Sequence, residues 1–548
     1  MIRSRLKNLL DQCFQQGVEQ SLWSAAAAGL YNLETPKHEG QGDFATNFAM
    51  IVAGKERRKP REVAEQLAAL LRQDAALVDK VEIAGPGFVN LFLNPAVWSS
   101  VLAPIAEQQE RFGLCDIGKK TKAMVEFVSA NPTGPLSVGH GRNAILGDSI
   151  ARLLIAAGYD VTREYYFNNA GRQMRVLGAS LQARYLEKLG LPNEFPEDGY
   201  QGGYMYDIAQ GMIDEAGEGF KDADVNVFRK RAQEAIFADI DATLKRIGIV
   251  FDSYYNEHDL YEKGLIEDVV ATLRAKGLVY EQDGATWFKT TEFGQAQDRV
   301  IIKNTGEPTY RLPDIAYHRE KFRRGFERMI NVFGSDHIAT VPDVLAGVEA
   351  LGFDKTKVQV IMHQFVTLMR GGKQVKMSTR KATFITVDEL ADEVGIDALR
   401  FFFLMRKADA QLEFDLELAK AQSQENPVYY VQYGHARLCS IERLVRGGYF
   451  EPPSADLSLL REVEEYNLLK MLAAYPSLVA DAAEDLAPHR LIFFLMELAG
   501  QFHSFYNKHK VMTEDSQLTA ARLCLCIGIR TVLANGLRLV GVSAPERM

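Results

Sequence analysis

The chain has 548 residues, of which 47% are hydrophobic and 25% charged, so it has the length of three or four domains and the composition of a soluble globular protein. Its formal net charge of −9 excludes an indiscriminate nucleic-acid coat, although local basic clusters leave a nucleic-acid partner open. The sequence lacks a membrane-length apolar run, a signal-peptide pattern and a zinc-type cysteine spacing, which together predict a cytoplasmic protein with reduced thiols.

Residues 1–112 predict a small N-terminal α/β domain. The stretch ERRKPREVAEQLAALLRQ has helical apolar spacing, with Pro60 at the position of a first-turn proline. The stretch KVEIAGPGFVNLFLN follows with two short β runs that Gly85, Pro86 and Gly87 interrupt. The polar segment EQQERFG marks the predicted end of this domain.

Residues 113–408 predict a Rossmann-type parallel sheet. KAMVEFVS indicates a buried strand, NAILGDSIARLLIAAG a helix and YDVTREYYF a second strand, which together form a βαβ unit. The polar residues from about 170 to 265 indicate a helical insertion. Strand-like runs return at RVIIK, MINVFG and VQVIMHQFV, and we expect them to complete the sheet.

Residues 409–548 predict an all-α C-terminal domain. Just before it, Thr386 and Glu389 have the spacing of a capping box at a helix start. Within it, Tyr430, Tyr433 and Arg437 lie at i, i+3 and i+7, on one helical face. Such a face suits splayed RNA bases, although aromatic stripes at this spacing are more often part of a core.

The loop from Asn131 to the start of the next helix predicts an anion site. Gly139 and Gly141 let the main chain approach a ligand, and the free N–H groups and dipole of the helix favour phosphate. His140 would lie on the first turn and point at that anion. Alone this is weak, because a lone histidine is more often structural.

A second basic stretch, RGGKQVKMSTRKA, could supply cations to the same ligand. Gly371 and Gly372 predict a tight hairpin turn, and Lys376, Arg380 and Lys381 follow it. Such a loop could close over a polyphosphate and neutralise the charge that develops as pyrophosphate leaves. Taken alone, a stretch of this kind is more often a solvated basic turn.

Together these two stretches resemble the paired signatures of class I aminoacyl-tRNA synthetases, with SVGH in place of HIGH and KMSTR in place of KMSKS. EFVSANPTGPL, DALRFFF, NPVYYVQYGHAR and SAPERM extend the resemblance to the bacterial arginyl-tRNA synthetase family along the whole chain. The resemblance implies an N-terminal domain that contacts the tRNA corner, a Rossmann catalytic domain and a C-terminal anticodon-binding domain. It also implies that L-arginine is activated with Mg-ATP, once tRNA(Arg) is bound, and is transferred to the terminal adenosine.

The resemblance assigns residues to each substrate. The catalytic residues it implies are Ser137, His140 and Lys376. Those implied for ATP are Pro132, Gly139, His140, Gly141, Lys376, Met377 and Ser378. Those implied for arginine are Glu126, Ser129, Asn131, Tyr310, Asp314, Asp336 and His337, with Asp314 as the carboxylate for the guanidinium. Those implied for tRNA are Phe88, Asn90, Tyr430, Tyr433, Arg437 and Met548. We expect a monomer without a structural metal ion.

Two residues depart from the family pattern. Ser137 replaces the first histidine of HIGH, and Thr379 replaces the second lysine of KMSKS, with Arg380 and Lys381 beside it. A hydroxyl can still donate a hydrogen bond, so we expect Ser137 to modulate activation. Two alternatives stay open: a class I synthetase for another amino acid, and a catalytically silent tRNA-binding paralogue.

Overall fold

The computed structural model describes residues 2–36, 38, 40–168, 171–375, 385–447 and 455–548. In the N-terminal part, helices pack on an antiparallel sheet of order β1-β2-β4-β3. The bounds are α1 Ile2–Glu19, β1 Leu33–Glu34, β2 Phe44–Thr46, α2 Phe48–Glu56, α3 Pro60–Leu71, β3 Val78–Ala84 and β4 Phe88–Leu93. The first-turn position of Pro60 and the Gly-Pro-Gly break between two strands are confirmed.

The central part is built on a parallel sheet of order β12-β11-β5-β6-β7. Its strands are β5 Lys122–Glu126, β6 Asp160–Phe167, β7 Ser253–Asn256, β11 Arg328–Gly334 and β12 Val358–His363. Helix α6, Val138–Ala156, connects β5 to β6 and is largely buried. The chain runs outward from β5 to β6 and β7, and later adds β11 and β12 on the other side. The crevice between β5 and β11 is therefore the topological switch point, where open α/β sheets bind their ligands.

The helical insertion lies in the chain between β6 and β7, and β7 is an edge strand of this sheet. Its helices are α7 Arg172–Lys188, α8 Tyr204–Ala216 and α9 Val225–Arg246. The predicted range of about 170–265 therefore also contains β7, which pairs with β6 in the main sheet.

The expectation that RVIIK completes the parallel sheet is wrong. That run forms β10, Arg299–Ile302, in a separate antiparallel sheet with β8 Val279–Gln282 and β9 Ala285–Phe288. The short β8–β9 hairpin offers β10 a neighbouring edge, and side-chain alternation cannot identify which edge a strand joins. The helices of this part are α10 His258–Glu262, α11 Leu265–Ala275, α12 Arg311–Arg323 and α13 Val341–Ala350.

The run VQVIMHQFV divides between two sheets. After β12, the chain enters β13, Val366–Arg370, which pairs with β14 Lys373–Gln374 and β15 Leu412–Asp415. The hairpin turn at Gly371 and Gly372 is confirmed, with φ of 56° and 73°, values that favour glycine. The capping box is also confirmed, since the N–H of Glu389 donates to Thr386 Oγ1 and the N–H of Thr386 donates to Glu389 Oε2.

The predicted all-α range 409–548 begins with a strand, because β15 lies inside it and pairs with β13. Three short helices flank this strand in the chain: α14 Val387–Val394, α15 Ile396–Phe403 and α16 Leu416–Lys420. Four long helices follow: α17 Pro427–Gly447, α18 Val463–Glu484, α19 His489–Lys508 and α20 Ser516–Leu539. From α16 onward, the residues that the structure describes are helical apart from their connections. Helix α20 has the length and apolar composition of a membrane span, yet 78% of that window is buried inside the protein. It packs against α17, α18 and α19, and against α5, Leu102–Gln108, which follows α4, Pro95–Ser99.

Candidate active site

The chain leaves β5 through a strained turn at the switch point. Val128 and Ser129 have φ of 65° and 40°, and the Ser129 N–H donates to the carbonyl of Phe127 at 2.9 Å. A β-branched residue in this region is an outlier that surrounding structure must hold in place. Asn143 on α6 does so, because its Oδ1 accepts the Val128 N–H at 2.6 Å and its Nδ2 donates to the Val332 carbonyl at 2.8 Å. Helix α6 is thereby fixed to β5 and β11.

His140 is held in one orientation at the N-terminus of α6. The backbone N–H of Ser137 donates to His140 Nδ1 at 3.2 Å, and the Ser137 hydroxyl lies 3.2 Å from the same nitrogen. Burial lowers the pKa of His140, against an opposing effect from the charge of Asp336, so the ring is neutral. Because Nδ1 accepts, the proton is on Nε2, which can donate to a ligand. Ser137 therefore orients the histidine, a contact that the sequence does not predict.

Glu126 at the end of β5 already has a cationic partner. Lys321 on α12, with 0% of its surface exposed, lies 2.6 Å from Glu126 Oε2 and donates to Asn331 Oδ1 at 2.8 Å. The hydroxyl of Ser129 donates to the other oxygen, Oε1, at 3.2 Å. Substrate would therefore meet a carboxylate whose charge is largely balanced.

A buried hydrogen-bond chain connects this ion pair to the backbone of Asp314. Asn331 Nδ2 lies 2.8 Å from His318 Nε2, and His318 Nδ1 lies 2.7 Å from the Asp314 carbonyl. Burial, together with Lys321, lowers the pKa of His318 to about 3 and keeps it neutral. The chain orients the first turns of α12 relative to the sheet.

Asp314 lines a cavity, and two further carboxyl groups lie close enough to shift its pKa. Burial is the largest cause that raises its pKa to about 8, followed by the charges of Glu126 and Glu257, against Lys321. Glu257 is 8% exposed, accepts a hydrogen bond from the Tyr166 hydroxyl at 3.0 Å, and has a pKa that burial raises. The cavity is lined by Asp314, His318, Asn331, Phe333, His337 and residues of α13 and β12. The surroundings of Asp314 therefore place three carboxyl groups near one lysine, which suits a cationic side chain.

Glu257 is absent from the set inferred from sequence. Its signal is faint, because it is one acid in the stretch YNEHD and only the fold brings it near Asp314.

The other residues predicted for arginine lie nearer the rim. Asp336 and His337, just beyond β11, are exposed, and His337 lies 3.8 Å from Asp336 and 5.2 Å from the Phe333 ring centroid. Tyr310 directly precedes α12 and is 77% exposed. Asn131 donates to Gln173 on α7 at 2.8 Å.

The residues predicted for ATP are described in part. Pro132 is buried, and Gly139 and Gly141 lie in the first turn of α6 on either side of His140. A side chain at Gly141 would come within 2.9 Å of Val387, so this glycine allows α14 to pack closely. Lys376, Met377 and Ser378, with Thr379, Arg380 and Lys381, lie outside the described residues.

The residues predicted for tRNA are not among those that line the cavity. Phe88 is 39% exposed at the start of β4, and Asn90 is 6% exposed within that strand. Of these two, Phe88 has the more accessible side chain.

Tyr430, Tyr433 and Arg437 form part of an aromatic cluster with α19. Tyr430 packs on His503 at 4.6 Å, and Arg437 lies 4.8 Å from the ring centroids of both Tyr433 and Tyr506. Arg437 also donates to the Tyr433 hydroxyl at 2.8 Å. These three side chains are partly exposed, so the cluster packs against α19 and still presents a surface to solvent. The terminal Met548 is 51% exposed.

Comparison with known proteins identifies the chain's relatives. The family model "tRNA synthetases class I (R), catalytic domain" matches residues 103–407. Models described as "Arginyl tRNA synthetase N terminal domain" and "DALR anticodon binding domain" match residues 4–93 and 431–548. Arginine--tRNA ligases from Desulfotalea psychrophila and Syntrophotalea carbinolica are 63% and 47% identical, each with 100% of both chains covered. The solved Thermus thermophilus arginyl-tRNA synthetase has a TM-score of 0.75 at 23% identity, again with 100% of both chains covered, which shows the shared fold.

The parallel sheet, with a histidine-bearing helix at its switch point, defines a class I aminoacyl-tRNA synthetase catalytic domain. The matches to the N-terminal and anticodon-binding models, together with the identity to arginine--tRNA ligases, distinguish one family within this class. The chain belongs to the arginyl-tRNA synthetase family.

Proposed function

We propose that the cavity around Asp314 and the N-terminus of α6 are the two halves of one active site, which joins arginine to tRNA(Arg) at the expense of ATP. The enzyme is an arginine–tRNA ligase of class I, as its family membership establishes. The observation that carries the assignment is the group of three acids, Asp314, Glu126 and Glu257, beside the switch point, since it would bind a cationic amino acid next to a phosphate site.

In the arginine half, Asp314 and Glu257 are the two acids available to the guanidinium. Planar guanidinium groups form bidentate, charge-assisted bonds with carboxylates, which explains why two acids suit arginine better than lysine. Glu126, balanced by Lys321, and Ser129 would receive the ammonium group of the substrate. Asn131, Tyr310, Asp336 and His337 would close the rim around the bound amino acid.

In the nucleotide half, His140 Nε2–H and the free N–H groups of α6 would donate to the phosphates. Ser137 keeps the imidazole in the donating tautomer, and Gly139, Gly141 and Pro132 shape the loop through which ATP enters. Lys376, Met377 and Ser378 belong to this proposal through the family motif.

The reaction follows from this geometry in two steps. The arginine carboxylate attacks the α-phosphorus in line, a carboxyl–phosphate bond forms, and pyrophosphate leaves. A hydroxyl of the terminal adenosine of tRNA then attacks the carbonyl carbon, and AMP leaves with the bonding pair. The protein contributes position and electrostatic stabilisation and forms no covalent intermediate.

Mg²⁺ would arrive with the ATP phosphates. The residues that the structure describes include no group of three or more His, Cys, Asp or Glu able to hold a metal ion. Mg²⁺ is commonly held by one or two carboxylates together with substrate phosphates, and Asp336 offers an exposed carboxylate near His140.

For tRNA, we propose contact at both ends of the molecule. Phe88, with Asn90 behind it, would meet the tRNA corner, while Tyr430, Tyr433 and Arg437 would stack anticodon bases beside Met548. Domain boundaries near residues 112 and 408, a monomeric state and a cytoplasmic location belong to the same proposal.

Aminoacylation assays with arginine, with lysine and without amino acid test this function. We expect tRNA charging with arginine only, and we expect Asp314→Asn to lower kcat/KM for arginine while the KM for ATP changes little. Equal charging with lysine would contradict the acid pair as the specificity determinant. A silent wild-type protein that still binds tRNA would identify a paralogue without activity.

A further inference from the structure

The Phe365 ring is unusually exposed for a phenylalanine. Among the phenylalanines that the structure describes it has the largest exposed fraction, 70%, against 50% for Phe493 and 39% for Phe88. It lies in the short connection between β12 and β13, directly after the parallel sheet. Single exposed apolar side chains are common on protein surfaces, so what distinguishes Phe365 is its position in the fold.

The backbone that presents this ring is fixed from several sides. The guanidinium of Arg142, whose side chain is 1% exposed, donates to the Gln364 carbonyl at 2.7 Å. The N–H of Gln364 donates to the Ala408 carbonyl at 3.0 Å, and the Leu412 N–H donates to the Phe365 carbonyl at 3.4 Å. A buried guanidinium is costly unless its hydrogen bonds are made, so this connection is a preorganised element.

Arg142 also joins the connection to the catalytic helix. It lies on α6 two residues after His140 and binds the carbonyls of Lys407 and Ala410 as well as that of Gln364. The backbone that carries Phe365 is therefore anchored to α6, the helix whose N-terminus forms the phosphate site.

The connection lies on the nucleotide side of the crevice. Burial is the main cause that lowers the pKa of the preceding His363 to about 4, and the nearby groups that shift it further are Arg142, His140 and Asp336. The acids of the arginine cavity, by contrast, come from β5, α12 and the residue after β7. A nucleotide with its phosphates at α6 would extend its base over the ends of β11 and β12, toward this connection.

We propose that the Phe365 ring is a stacking face for adenine, either that of ATP or that of the terminal adenosine of tRNA. This inference rests on the proposed function. Adenine presents a flat π surface, and stacking on an aromatic ring removes one face of the base and one face of the ring from water. The phosphates would be fixed at α6, so a ring on the same rigid frame sets the distance between base and reacting phosphorus.

Three variants test the proposal. Phe365→Leu keeps an apolar side chain but removes the aromatic face, Phe365→Tyr keeps the ring, and Phe493→Leu is the matched control at an exposed phenylalanine on α19. Arginine-dependent ATP–pyrophosphate exchange at saturating tRNA gives KM for ATP and for arginine. Rapid mixing of preformed enzyme-bound arginyl-adenylate with tRNA gives the rate of transfer. Unchanged thermal unfolding midpoints establish that the variants are folded.

If the ring stacks on ATP, Phe365→Leu raises the KM for ATP by about 5- to 150-fold, with kcat and the KM for arginine nearly unchanged. If it stacks on the terminal adenosine, the KM for ATP is unchanged and transfer slows by a similar factor. Phe365→Tyr and Phe493→Leu stay within about twofold of wild type in both arms. A Phe365→Leu enzyme that equals wild type in both assays overturns the proposal. A wild-type enzyme without arginine-dependent exchange would instead contradict the proposed function.

Discussion

Arginine binding is expected to release a proton from Asp314. In the free enzyme, burial and the neighbouring carboxylates of Glu126 and Glu257 raise the pKa of this carboxyl group to about 8. At pH 7 the group is therefore mostly protonated. A guanidinium beside it favours the ionised form, so the ligand and the proton compete for the same carboxylate.

The magnitude follows from this pKa. At pH 7 about nine-tenths of a proton would be released per arginine bound, and ionising the acid costs about 1.4 kcal/mol. Because the group is protonated below pH 8, affinity falls as pH falls. Arginine should bind about 50-fold more weakly at pH 6 than at pH 8.

Titration calorimetry measures this directly. Arginine is titrated into the enzyme at pH 7 in two buffers of different ionisation enthalpy, and the difference in observed enthalpy gives the number of protons released. Asp314→Asn should abolish most of the release, while Glu349→Gln, at an exposed ion pair on α13, should leave it unchanged. Zero release by wild type, or equal release by Asp314→Asn, would contradict the coupling of arginine binding to ionisation of Asp314.

Three further predictions concern single contacts. Ser137→Ala removes the hydroxyl beside His140 but keeps the backbone donor, so we expect the exchange rate to fall less than about tenfold; a loss as large as that of His140→Ala would contradict it. Lys321→Met leaves Glu126 buried without its cation, so denaturant unfolding should show a loss of about 3–5 kcal/mol, whereas a loss below about 1 kcal/mol would mean that the pair contributes little. Arg437→Ala removes a cation that stacks on two tyrosines, so filter binding should show weaker tRNA affinity with the KM for ATP unchanged; wild-type affinity would exclude this surface from the tRNA site.

Much of the fold could be predicted because its signals are local. The helix start at Thr386, the turn at Gly371 and Gly372, and the strand–helix–strand order around α6 each depend on residues within a few positions of one another. Strand partnership is not local, which explains why RVIIK was predicted as a strand but in the wrong sheet.

The residues of the candidate site also differ in whether a local sequence signal predicts them. His140 and Asp314 were predicted because they belong to short motifs, and the structure places one at the start of α6 and the other in the lining of the cavity. Glu257 belongs to no motif with a chemical signature. Its role is indicated only by the structure, in which Glu257 accepts a hydrogen bond from Tyr166 and its charge raises the pKa of Asp314.

Composition, periodicity and contiguous motifs were sufficient to predict the class of the protein, the order of its elements and the residues expected to contact phosphate. The charge balance and orientation of those residues depend on contacts between distant parts of the chain. Lys321 is 195 positions from Glu126, and Arg142 is 222 from Gln364, yet these contacts balance the charge of Glu126 and fix the connection between β12 and β13. Burial and electrostatic fields depend on distance in space, which separation along the chain does not determine.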